Sequence, residues 1–71
     1  MPLERIYELG EEIVMLSLGG AQVMLMLSDG NETFHDARFV GFQPGAIVIM
    51  HATQPKVIPF QVITELEIMY V

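Results

Sequence analysis

The chain has 71 residues, of which 52% are apolar, with no cysteine and a formal charge of −6. That length allows one small domain, which removes only about 60% of its unfolded-chain surface from water. Disulfides and cysteine-based zinc are excluded as staples, and two histidines, His35 and His51, are too few to build another structural metal site. Self-association is therefore the expected support for a chain this apolar.

The longest apolar runs are only a few residues long, far short of the roughly 18 needed to span a membrane. The N-terminus has no basic stretch ahead of an apolar one, so no secretory signal is expected. Together with the absence of cysteine, this suits a cytoplasmic protein. The acids Glu4, Glu8, Glu11 and Glu12 face Arg5 in residues 2–18, and five further acids face Arg38 and Lys56 in the remainder. No basic half is hidden in the chain, and an acidic surface repels phosphate backbones on average.

Residues 2–18 are predicted to form an amphipathic helix. Leu3, Ile6, Leu9, Ile13 and Leu16 recur at spacings of three and four, with Glu4, Arg5, Glu8, Glu11 and Glu12 elsewhere on the wheel. Pro2 suits a helix start, and Gly19-Gly20 supplies a stop. Gly10 in the interior and Met15 on the charged side support a competing reading, in which the helix ends near Leu9 and Ile13–Leu18 is a strand.

From residue 21 the pattern is β. Val23, Leu25 and Leu27 alternate with Gln22, Met24, Met26 and Ser28, and Asp29-Gly30-Asn31 is a turn signal. A strand of about residues 33–42 follows, with a bend or bulge expected at Gly41 and a turn at Pro44-Gly45. Ala46 to Met50 is apolar on both faces and reads as a central, doubly covered strand. Thr53-Gln54-Pro55 reads as a polar loop, Lys56–Phe60 as a strand kept to an edge by Pro59, and Gln61-Val62-Ile63 as a tight turn. The last strand sets Thr64, Leu66, Ile68 and Tyr70 on one face and Glu65 and Glu67 on the other. One helix and five short strands imply a mostly β fold, a small, strongly bent antiparallel barrel over residues 21–71. Its exposed edge strands would be relieved by pairing with a neighbouring copy.

That layout resembles the Sm-like family, which includes the LSm and Hfq proteins. The resemblance is carried by Val23–Gly30 with Phe39-Val40-Gly41-Phe42-Gln43, similar to the family's first motif, and by Ile58–Leu66, similar to its second. It implies a five-stranded Sm-like (SH3-like) barrel with an N-terminal helix, closed into a homo-oligomeric ring by edge-strand pairing, with RNA or single-stranded DNA bound at two pore loops. On this chain those loops are Gln43-Pro44-Gly45 and Phe60-Gln61. Phe60 would stack on a base and Gln61 would hydrogen-bond a base edge. The family's signature contacts are replaced: Gln43 stands where an Asp is usual, Ile47 near the pore-facing Asn, Gly45 at the stacking aromatic of Hfq, Phe60-Gln61 at Arg-Gly or Lys-His, and Met26 at the aromatic near the end of the first strand. The alternative is therefore a ring scaffold that binds protein and not nucleic acid.

No enzyme is expected. His35 and Asp36 are adjacent on a strand and would point to opposite faces, no nucleophile and base can be paired, and Gly19-Gly20 lacks the spacing and the Lys of a phosphate loop. No cofactor is implied. The methionines are expected to fill an oligomer core, and the acidic helix side to be solvated or to meet a basic protein.

Overall fold

A computed structural model describes residues 1–69, and the expected Tyr70 position lies outside them. It contains one helix, α1 (Leu3–Leu18), then five strands: β1 (Met24–Ser28), β2 (Thr33–Gln43), β3 (Ala46–His51), β4 (Gln54–Pro59) and β5 (Glu65–Met69). A single 3-10 turn, Phe60–Val62, joins the last two strands. The strands form one antiparallel sheet in the order β4-β3-β2-β1-β5. The molecule is thus mostly β with one N-terminal helix on a small, bent five-stranded sheet, the fold class expected from the sequence.

α1 is continuous, which settles the competing readings of residues 13–18. The Pro2 carbonyl accepts from the Arg5 and Ile6 amides, so Pro2 caps the helix from just outside it. At the other end the Gly20 amide donates to Ser17 O and the Ala21 amide to Leu16 O, a glycine-based stop that satisfies the last carbonyls. Gly10 is buried inside the helix, and a Cβ there would stand 3.3 Å from Cζ of Phe42. The missing side chain lets that ring close on the helix backbone, which offsets a helix cost of about 1 kcal/mol.

The core joins Ile6, Leu9 and Ile13 of α1 to Leu25 and Leu27 of β1, Phe34 and Ala37 of β2, Ile47 and Ile49 of β3, Ile58, Ile63 and Leu66. Alternation explains β1, where Leu25 and Leu27 are fully buried and Met24 and Met26 half-buried. β2 bends twice. Val40 is the extra residue between the Phe39–Ile49 and Gly41–Val48 pairs, the irregularity expected at Gly41. His35 and Asp36 together oppose the single Met26, one residue more than regular pairing needs, with Asp36 at a φ of 55°.

Three local expectations need correction. β2 is the central strand, and β3 lies between it and the edge; Ile47 and Ile49 are buried, while Val48 and Met50 are only half-covered. The loop expected at 53–55 is a two-residue turn at Ala52-Thr53, both with positive φ, and Gln54 and Pro55 already belong to β4. Phe60 opens the 3-10 turn and is not the last residue of a strand. His35 and Asp36 are both exposed, at the bulge opposite Met26.

Candidate nucleic-acid interface and adjoining groove

The two segments singled out in the sequence are neighbours in space. Gln43-Pro44-Gly45 forms the turn between β2 and β3, with Pro44 fixing one turn angle and Gly45 supplying the positive φ of 76° that closes it. The Phe60 amide donates to the Gly45 carbonyl at 2.9 Å, extending the β3–β4 ladder by one pair. This bond brings the Phe60-Gln61 turn beside the Gln43–Gly45 turn, with Gln43, Pro44, Gly45 and Gln61 exposed and Phe60 half-buried.

Phe60 does not present a free ring. Its centroid lies 6.2 Å from that of Tyr7 and 6.0 Å from that of Phe42, both near edge-on, and Phe42 also meets Phe39 at 5.1 Å. Tyr7, Phe42 and Phe60 line an open groove of about 710 Å³ between α1 and the β2–β3 turn. Tyr7, Gly10, Glu11 and Val14 form its helix side, and Phe42 and Phe60 its sheet side. A smaller depression beside it reaches Gly45, Pro59 and Gln61. Tyr7 and Phe42 were not among the expected site residues. The available signal was Gly10, a glycine inside a helical pattern with no other purpose.

No Lys or Arg side chain lies in the two turns; the N-terminal ammonium donates to the Ile63 carbonyl at 3.2 Å beside the second. Arg5 pairs with Glu8 on the helix at 3.3 Å. Lys56 lies 5.9 Å above the Phe34 ring on β4. Arg38 is half-buried in β2 opposite Met24 and Met50. Asp29 accepts from the Asn31 and Glu32 amides, and these bonds, the Asn31 one foremost, hold its carboxyl below the usual carboxylate range. His51 is half-buried against Phe34, with ring centroids 5.1 Å apart. Among the described residues, no three His, Asp or Glu side chains come together as a metal cluster, and no helix is long and apolar enough to cross a membrane.

No family model, curated protein or solved structure matches this chain.

The two edges of the sheet complete the geometry. On β4 the amides of Gln54, Lys56, Ile58 and then Phe60 share the parity that faces β3, so Pro55, Val57 and Pro59 face outward. Proline donates nothing, which leaves the Val57 amide as the one outward donor between two prolines. Val57 is 52% exposed. On β5, Glu65, Glu67 and Met69 are exposed.

Proposed function

We propose that this chain is an Sm-like protein that assembles with copies of itself through β4 and β5 into a homo-oligomeric ring, and that the ring is a scaffold for binding protein. The observation that carries the scaffold reading is the lack of any Lys or Arg side chain at the Gln43–Gly45 and Phe60-Gln61 turns, where the N-terminal ammonium is already held by the Ile63 carbonyl, set against the aromatic groove beside them. Binding a phosphate backbone relies on Lys and Arg neutralising it, and two turns without either on an acidic chain do not supply that. Assembly is supported by the two ends of the sheet. β4 carries Lys56 and β5 carries Glu65 and Glu67, so joining the edges sets opposite charges on adjacent strands, worth about 0.2–1 kcal/mol for each pair that meets. The cysteine-free composition suits a cytoplasmic protein.

The Val57 edge gives the test. Val57→Lys adds a charge where copies would join and leaves the β3–β4 ladder intact. Sedimentation velocity should show the wild-type oligomer replaced by monomer at an unchanged circular dichroism spectrum. An unchanged oligomer would remove the edge-pairing assignment.

A second reading, RNA or single-stranded DNA bound at the two turns, is favoured by the Phe60–Gly45 bond that brings those turns together. Fluorescence anisotropy with U-rich and A-rich oligonucleotides at low salt separates the readings. Binding that is weakened by Gln43→Ala and Gln61→Ala would establish the nucleic-acid reading, and no binding at high micromolar protein leaves the scaffold.

A further inference from the structure

Helix α1 carries two apolar stripes, and the fold uses one of them. Ile6, Leu9, Ile13 and Leu16 face the sheet. Leu3, Tyr7, Val14 and Leu18, with Gly10 between them, follow one another at steps of four, three, four and four on a second sector, about 120° round the helix. These four side chains are 49%, 54%, 38% and 83% exposed. The stripe runs about 22 Å along the helix. The aromatic groove lies along its middle, where the Phe42 ring packs on Gly10. Its volume, about 710 Å³, lies in the range of sites that bury a sizeable ligand.

One flank of the stripe is acidic. Glu11 lines the groove, and Glu4 lies two turns before it on the same side. No Lys or Arg lines the groove. We propose that the stripe and groove together are the docking surface for an amphipathic helix of a partner protein, one with bulky apolar side chains on one face and Lys or Arg beside them. The length and spacing match helix-in-groove recognition, in which anchors at i, i+4, i+7 and i+11 enter a continuous apolar track. The charge selects the partner. A second copy of α1 laid on the stripe would bring its own Glu4 and Glu11 against the first copy's, and such like-charge contacts count against that pairing. A small apolar ligand would fill the groove and leave Leu3 and Leu18 uncovered. The proposal deepens the scaffold reading by giving the partner a chemistry, and it needs only a single copy of the chain.

The test is fluorescence polarisation on the full chain with three labelled peptides of about five helical turns. The first places Leu at i, i+4, i+7 and i+11 with Lys alongside, the second replaces each Lys by Glu, and the third scrambles the first. The first peptide is expected to bind at least about tenfold more tightly than the other two. Tyr7→Ala and Glu11→Lys, both at exposed positions, should each weaken it by about fivefold or more with an unchanged circular dichroism spectrum. Equal binding of the scrambled or the Glu peptide would overturn the proposal, as would an affinity indifferent to Glu11→Lys. Uptake of the dye ANS with no peptide binding would assign the groove to a small apolar ligand and also overturn it. Light scattering on the same samples keeps the two readings apart: peptide bound to a monomer contradicts the ring alone, and a ring that ignores the peptide contradicts the groove alone.

Discussion

The two apolar stripes of α1 have similar chemistry and opposite fates. Ile6 and Ile13 are at most 2% exposed, and they contact a sheet whose inner face is built from Leu25, Leu27, Ile47 and Ile49. Tyr7 and Val14, one position further along the chain in each case, stand 54% and 38% exposed at the mouth of a groove. The helix needs only the first stripe to hold the fold. The second contributes little to a single copy's stability and leaves apolar surface in water, the surface that the proposed docking would cover.

Substitutions that separate the stripes test this difference most strongly at Ile13. Ile13→Ala removes a fully buried side chain and should cost about 2–5 kcal/mol in urea denaturation. The neighbouring Val14→Ala should cost about 0.5 kcal/mol or less, as surface changes usually do. A Val14 cost near that of Ile13 would mean that the outer stripe also belongs to the core. Gly10 lies between the stripes, and Gly10→Ala gains up to about 1 kcal/mol of helix propensity against displacement of the Phe42 ring. Phe42 is 38% exposed and can move outward, so the net effect on thermal stability should be a small gain, accompanied by a weaker grip on any peptide in the groove. At Leu18, 83% exposed, Leu18→Lys should leave the denaturation midpoint unchanged within error. A clear destabilisation there would show that the far end of the outer stripe is covered.

A small, pH-dependent effect belongs to a site remote from both stripes. Asp29 binds the Asn31 and Glu32 amides as a carboxylate, so its folded-state pKa lies below its unfolded value. Its contribution is therefore present above about pH 4 and is lost as the pH falls through the lowered folded value. Asp29→Asn should narrow the stability difference between pH 7 and pH 3 relative to wild type. An identical pH dependence in the two proteins would remove Asp29 as the source.

The same comparison shows what the sequence could reveal. The inner stripe was legible because Ile6, Leu9, Ile13 and Leu16 repeat at helical spacing, and the β1 face because Leu25 and Leu27 alternate with their neighbours. The Ala52-Thr53 turn was not legible, since neither residue favours positive φ and a β-branched Thr at 67° is rare. The Asp36 bulge was hidden for a related reason: strict alternation was the only rule available for a strand, and one extra residue cancels it. Of the candidate site, the pairing of Gln43–Gly45 with Phe60-Gln61 was what the family resemblance implied. The groove did not, because Tyr7, Phe42 and Phe60 come from three separate elements and meet only once α1 docks. Leu3 was read as part of the single inner stripe, whereas it begins the outer one.

The central claim is that copies of this chain complete one another. Native mass spectrometry of the wild-type protein across a hundredfold dilution tests it most directly. The account predicts one discrete species at an integer multiple of 8.0 kDa that persists on dilution. A single 8.0 kDa species at every concentration would contradict it.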